Sequence, residues 1–332
     1  MTNTRTQTLL TAPAYTKDLL KRINAATTRI AIVATTFHGD DAISNALIDA
    51  LCDAADRGVY VSVGADAFTY IEPKGSIFGA KGHSMRAIKA HKVQRKLKKH
   101  GAEFHWLGRM SNFIFAGRTH SKWTIIDDMI YSFGGINLDH VSFTNTDLMI
   151  RITDNKIANR LFVEHGRVFK ADRGGHALRS QKITINETST ILIDGGIPGD
   201  SVIYRRACTL AREASQITFV SQYCPTGRLN RILKRKQATL FFNHWRRARW
   251  ANMLIIQLGM LISRQSTLYN RRPYLHAKFI LFTMPDKTEI ALTGSHNFTN
   301  SGVLTGTREI ALETSDQDTI TQLKKFLDNH VK

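Results

Sequence analysis

Acidic residues are missing from long stretches of this 332-residue chain: none occurs between Lys74 and His100, and none between Glu213 and Asp286. Over the whole sequence 27 Asp and Glu face 46 Lys and Arg, a net charge of +19. Such an excess says little about fold, but it favours partners that carry phosphate, either nucleic acid or an anionic membrane surface. Cysteine is also scarce. Cys52, Cys208 and Cys224 form neither a paired framework nor a metal-ligand spacing, which excludes a disulfide scaffold and suits a reducing compartment. The opening MTNTRTQTLLTAPAYTKD lacks the apolar core of a secretory signal. The longest uncharged apolar run, WANMLIIQLGMLIS between Arg249 and Arg264, falls short of the roughly 20 residues that span a bilayer. A cytoplasmic protein, or one peripheral to the inner face of a membrane, is expected.

What is present alternates between helical and strand patterns. TKDLLKRINAA (16–26) has helical spacing and RIAIVATTF (29–37) reads as a buried strand; ISNALIDALCDAADRG (43–58) repeats the helix, ending in Gly58, and VYVSVGAD (59–66) the strand. Strand, helix and strand with short joins imply a parallel α/β unit. From Lys74 the chain turns basic, first as a glycine-rich loop, KGSIFGAKGH, then as a helix, MRAIKAHKVQRKLKKH. After a linker candidate at 172–182 the plan recurs: helix 204–215, strand 216–224, helix 228–236 and strand 238–245. The apolar run after Arg249 then occupies the place of the basic helix. Its position in the repeat makes it a buried core helix rather than a membrane-surface one. The sequence thus divides into two α/β halves, residues 1–172 and 173–332.

Each half carries the same constellation. In the first, His120-x-Lys122 opens a strand, Asp127-Asp128 forms a turn, and the returning strand ends in Gly134-Gly135-Ile136-Asn137. In the second, His276-x-Lys278 precedes FILF, a turn at Met284-Pro285-Asp286, then IALT and Gly294-Ser295-His296-Asn297. Farther on lies an acid, Asp147 in one copy and Glu309 in the other. His330-Val331-Lys332 shares the first pattern with nothing after it and reads as chance. In a strand, residues two apart face the same way, so each imidazole stands beside an ammonium.

These residue types fit phosphoryl transfer. A neutral imidazole attacks phosphorus well and splits one displacement into two easier ones. A second, protonated imidazole can serve the leaving group and later the acceptor. Lys122, Lys278, Asn137 and Asn297 can hold phosphoryl oxygens and the charge that accumulates on them. A carboxylate on the far nitrogen of each imidazole would fix its tautomer. The carboxylate cluster of a two-metal phosphodiesterase is missing, so neither metal nor cofactor is expected and lysines take the cation's role.

The pattern His120-x-Lys122-x4-Asp127 with Gly134-Gly135-x-Asn137 resembles the signature of the phospholipase D superfamily, and Gly294-Ser295-x-Asn297 resembles its second form. The wording GGIN is most similar to bacterial cardiolipin synthases and their relatives. The resemblance covers nearly the whole chain. It implies two similar α/β halves related by a pseudo-twofold, each a mixed, mostly parallel sheet flanked by helices, with one active site between them. It also implies a phosphohistidine intermediate without metal, Asp147 and Glu309 as the acids that orient the histidines, His120 as nucleophile and His276 as general acid. Asp127, Gly134, Gly135 and Gly294 would be structural, while the Ser295 hydroxyl is a candidate phosphate ligand. One departure stands out: Thr283 occupies the second copy's aspartate position, and 18 positions separate His276 from Gly294 against 14 from His120 to Gly134. The expected activity is that of a phosphatidyltransferase or phosphodiesterase acting on phospholipid at an anionic membrane surface; the alternative is a metal-independent nuclease acting on DNA or RNA. A monomer suffices to form one site.

Overall fold

The computed structural model describes residues 7–71, 85–108, 117–248 and 250–332. The glycine-rich segment 74–83 and Arg249 fall outside them. The first half contains β1 (Gln7–Thr11), α1 (Ala12–Ala25), β2 (Arg29–Ala34), α2 (Ala42–Asp56), β3 (Tyr60–Asp66), α3 (Ala67–Ile71), α4 (Met85–Lys99) and β4 (Glu103–Leu107). It continues through β5 (Trp123–Ile126), β6 (Met129–Ser132), α5 (His140–Thr144), β7 (Leu148–Thr153) and α6 (Asn155–Arg173). The second half contains β8 (Gln181–Thr184), β9 (Ser189–Gly195), α7 (Val202–Glu213), β10 (Gln216–Val220), α8 (Gly227–Arg235), β11 (Thr239–Phe241) and α9 (Trp250–Ser263). β12 (Phe279–Thr283), β13 (Glu289–Gly294), α10 (Asn300–Thr305), β14 (Arg308–Thr314) and α11 (Gln317–Phe326) complete it.

Among the described residues these strands form two seven-stranded sheets, ordered β1-β7-β6-β5-β2-β3-β4 and β11-β10-β12-β13-β14-β9-β8. Both are mixed, but the expected parallel majority is not found. Only β2-β3, β3-β4 and β10-β11 are parallel; every other ladder is antiparallel. The reason is local, because a tight turn can join only antiparallel strands and the motif hairpins β5-β6 and β12-β13 occupy the middle of each sheet. The parallel pairs are confined to the strand-helix-strand units read from the sequence.

Near-continuous apolar strands need cover on both faces. In β2, Ile30, Ile32 and Ala34 face an outer core with α1, α2 and α4, while Ala31 and Val33 face a central one. In β12, Ile280 and Phe282 join the outer core of α7 and α8, and Phe279 the central one. The central layer is shared by the two halves. Leu161, Val168 and Phe169 of α6 and Ile320, Leu323 and Phe326 of α11 pack there against strands of both sheets. The C-terminal helix also grips the N-terminal strand, since Leu9 N donates to Gln322 Oε1 at 2.9 Å and Thr319 Oγ1 to Gln7 Oε1 at 2.9 Å. The result is a five-layer α/β/α/β/α stack in which β1 meets α11.

The exception to this burial is α9. The expectation of a buried core helix fails, because Leu254, Ile255, Leu258, Leu261 and Ile262 are all exposed. Along the described part of this helix only Ile256 and Ser263 are buried.

Asp127 shows why the first turn needs an acid. Its backbone is left-handed, φ 49°, and its carboxylate accepts from Thr28 N at 2.9 Å, Arg29 N at 3.0 Å and Thr27 N at 3.0 Å. It thereby ties the hairpin tip to the segment entering β2. In the second half the same tie is made without an acid: Ser215, just before β10, donates to Thr283 O through its N–H at 2.8 Å and its hydroxyl at 2.9 Å. Asp286 serves its own turn, accepting from Thr288 N at 3.0 Å. Partial burial alone would raise the Asp127 carboxyl, but the Thr28 hydroxyl and three N–H groups outweigh it and hold the pKa at about 2. Because the folded value lies below the unfolded one, this stabilisation is complete above about pH 4 and is lost as pH falls through about 2. Asp127→Ala should cost about 1–2 kcal/mol in urea unfolding at pH 7, and the deficit should shrink between pH 4 and pH 2.

Candidate active site

The two His-x-Lys segments lie just ahead of β5 and β12 rather than inside them. Each lead-in pairs with the opposite half. Thr119 bridges to Arg308, with Arg308 N donating to Arg118 O at 2.8 Å and His120 N to Arg308 O at 2.9 Å. Thr146 bridges to Leu275, with Thr146 N donating to Tyr274 O at 2.9 Å and His276 N to Thr146 O at 2.9 Å. Arg308 precedes Glu309 and Thr146 precedes Asp147, so each bridge carries one half's acid to the other half's histidine.

The imidazoles are oriented accordingly. His120 Nδ1 lies 3.0 Å from both carboxylate oxygens of Glu309, and His276 Nδ1 lies 2.6 Å from Asp147 Oδ2. An ionised carboxylate only accepts, so Nδ1 carries the proton in each ring and Nε2 is left with its lone pair. Burial, then the charges of Lys122, Lys278 and Arg118, drive the His120 pKa well below its ordinary value. Burial and Lys278 also lower that of His276, against the opposing pull of Asp147. For Asp147 burial alone would raise the pKa, but the His276 bond, Lys278 and the Leu148 N–H hold it below the usual carboxylate range.

The lysines are the most confined cations of the site, with Lys122 1% and Lys278 0% exposed. Each folds back onto its own histidine's carbonyl, Lys122 Nζ to His120 O at 2.8 Å and Lys278 Nζ to His276 O at 2.5 Å. Lys122 also donates to Thr35 Oγ1 at 2.9 Å. Burial, followed for Lys122 by Lys278, pulls Lys122 down to about 7, and burial brings Lys278 down to about 8. The remaining protons of both ammoniums are available to an anion.

The glycines make the approach sterically feasible. A Cβ on Gly134 would stand 1.8 Å from Leu148 O, and one on Gly294 would stand 2.3 Å from Ile310 O, so neither position tolerates a side chain. A Cβ on Gly135 would stand 2.6 Å from Asp147 Oδ2, 2.7 Å from Lys278 Nζ and 2.8 Å from His276 Nδ1. The structure therefore brings Gly135 of one half against the acid of that half and the histidine and lysine of the other. Ser295, its counterpart, is turned away from the role of phosphate ligand. Its hydroxyl donates to Glu309 Oε2 and accepts from Ile310 N at 3.0 Å. Asn137 Oδ1 is occupied by Thr35 N at 3.1 Å and Thr36 N at 3.4 Å, which leaves its amide N–H groups for a ligand. Asn297 Oδ1 is buried with no hydrogen-bond partner among the described residues. His296 is buried, and its Nδ1 accepts from Phe298 N at 2.7 Å, the role of a turn residue.

A family model described as cardiolipin synthase, PLD-like domain, matches residues 19–167 and 228–331, well over half of the chain. The chain belongs to the phospholipase D superfamily. Members of this family are enzymes acting as phosphodiesterases and transferases. The phosphatidylserine synthase of Haemophilus influenzae is similar in structure, with a TM-score of 0.73 at 12% identity over 99% of this chain and 88% of that one. A polyphosphate kinase from Porphyromonas gingivalis aligns with a TM-score of 0.63 at 11% identity over 97% of this chain and 46% of its own. At these identities the likeness concerns fold. No curated protein sequence matches.

Sequence reasoning missed Thr35, whose hydroxyl accepts a hydrogen bond from Lys122, and Arg308, which donates to Asp172 Oδ1 at 2.6 Å while its backbone holds His120. Thr35 had a weak signal in its place at the end of a strand, TT, opposite the motif. Arg308 had one in its adjacency to Glu309. Gly135→Ala is expected to push Asp147, Lys278 and His276 apart and to lower kcat/KM by about 10²-fold. Because it separates buried charges, differential scanning calorimetry should also show a lowered melting temperature.

Proposed function

We propose that the protein is a phosphatidyltransferase of the cardiolipin synthase type. His120 Nε2 attacks the phosphorus of a phosphatidyl donor, forming a P–N bond as the P–O bond to the leaving alkoxide breaks. His276 in its protonated form gives that alkoxide its proton. The acceptor's hydroxyl then returns a proton to His276, its oxygen attacks phosphorus, and the P–N bond breaks to regenerate His120. With water as acceptor the same steps release phosphatidic acid. The observation that carries this reading is the pair of imidazoles, each held by Nδ1 on the other half's carboxylate, beside two buried lysines.

The electrostatics support the division of labour. Burial and the neighbouring cations hold His120 neutral, as a nucleophile must be. His276 has the shorter bond to an acid kept ionised, the better setting for an imidazolium. A phosphodiester anion settling between Lys122 and Lys278 offsets the charges that depress both rings, so substrate itself promotes protonation of His276. The family description and the phosphatidylserine synthase fold support a lipid substrate. The alternative substrate of the same chemistry, a phosphodiester of DNA or RNA cleaved with water as acceptor, would use the same positive surface.

The decisive comparison incubates wild type and His120→Ala with phosphatidylglycerol vesicles, and separately with single-stranded DNA, in EDTA. Cardiolipin or phosphatidic acid should form only with wild type, His120→Ala losing about 10³-fold or more. DNA cleavage without lipid turnover would replace the reading. With soluble substrate, kcat/KM should fall across pH 7–8 more steeply than one ionisation allows, because Lys122 near 7 and Lys278 near 8 lose their charge there. A flat profile up to pH 9 would contradict the assignment of these ammoniums to the substrate anion.

A further inference from the structure

The large exposed apolar side chains of α9 form a surface that the chemistry above does not use. Leu254, Ile255, Leu258, Leu261 and Ile262 are each 57% to 68% exposed. Their i, i+1, i+4, i+7, i+8 spacing sets them on one side of the helix. Leu268, five residues past the end of the helix, is also 62% exposed. The opposite side is anchored: Tyr223 OH donates to Asn252 Oδ1 at 3.0 Å, Asn230 Nδ2 donates to Ser263 O at 3.2 Å, and Cys224 Sγ lies 2.9 Å from Ser263 Oγ. So the outward stripe belongs to a helix fixed in place.

Its surroundings identify what can cover it. Exposed Arg246 and Arg247 stand before the helix and exposed Arg264, Arg271 and Arg272 after it, with no Asp or Glu anywhere from residue 214 to residue 285. A second copy packing the same stripe would set two segments of like charge against each other, neither of which supplies an acid of its own. A nucleic acid would satisfy the arginines and leave the apolar stripe in water. An anionic lipid leaflet satisfies both at once. The helix has 14 residues, about 21 Å at 1.5 Å per residue, and no helix among the described residues is long and apolar enough to cross a membrane. Lying in the plane of the interface is the arrangement open to it.

The helix is also linked to the active site through the chain. Tyr223, which holds Asn252, follows Ser221, whose hydroxyl donates to Asn297 O at 3.0 Å. On the other side the chain runs from exposed Arg272 to His276 in four residues.

We propose that α9 is the docking element that seats this protein on an anionic phospholipid leaflet, its apolar stripe entering the acyl region and the flanking arginines contacting headgroup phosphates. This rests on the lipid reading for its purpose, but binding is measured apart from turnover. The full chain is mixed with vesicles of equimolar phosphatidylcholine and phosphatidylglycerol and sedimented, alongside Leu258→Gln/Leu261→Gln/Ile262→Gln and Arg264→Gln/Arg271→Gln/Arg272→Gln variants. The apolar triple variant should partition about tenfold less or weaker still, and the arginine variant should lose the preference for phosphatidylglycerol over pure phosphatidylcholine vesicles. Both should turn over a monomeric short-chain phosphatidylglycerol as wild type does.

Wild type that stays in the supernatant, or an apolar variant that sediments equally, overturns the proposal. So does light scattering that shows a wild-type dimer converted to monomer by the apolar variant with vesicle partition unchanged. Turnover of the short-chain substrate without vesicle binding would sink the docking role and leave the activity standing. Vesicle binding without lipid turnover would do the reverse.

Discussion

The structure depends on one exchange between its halves, a carboxylate of each held against the imidazole of the other. Glu309 takes His120 and Asp147 takes His276, and the bridges at Arg308 and Thr146 that deliver them are backbone pairings immediately beside the acids. Neither half can therefore orient its own histidine. The shared central core, with α6 and α11 between the sheets, supplies the rigidity that the exchange requires. Duplication here yields one site built from complementary parts instead of two sites.

The charge balance follows from the same exchange. Burying two ammoniums would be prohibitive without partners, and the crossed carboxylates bring two negative charges beside them. With both imidazoles neutral the four charges sum to zero, so an arriving phosphodiester meets donors whose charge is already compensated yet whose pKa values are drawn down to about 7 and 8. Such groups respond to one added anion by holding their protons more firmly. The asymmetry between Gly135 and Ser295 is set against this near-symmetric background. An open backbone position lies over Asp147 and Lys278, and a hydroxyl fills the matching space beside Glu309.

Much of this was legible in the chain. The two hairpins, their glycines and the alternating α/β units follow from turn chemistry and periodicity, and Asp127 acts at the turn where its spacing placed it. Three things were not legible, each for a physical reason. The direction of most ladders is set by the hairpins at the centre of each sheet, whereas the strand-helix-strand pattern that suggested parallel sheets governs only one flank. The crossing of Asp147 and Glu309 is tertiary, because an acid's distance along the chain does not reveal which half's imidazole it will meet. The exposure of α9 was hidden because an apolar helix reads the same whether protein or lipid covers it; Leu258 and Leu261 have core composition and a surface address.

The crossed pairing is open to direct measurement by imidazole NMR, following the titration of His120 and His276 in wild type, Asp147→Asn and Glu309→Gln. Asp147→Asn should perturb the pKa and Nδ1 signal of His276 while leaving His120 nearly unchanged, and Glu309→Gln should do the converse. If each substitution instead moved the histidine of its own half, the account of a single site assembled by exchange would be wrong.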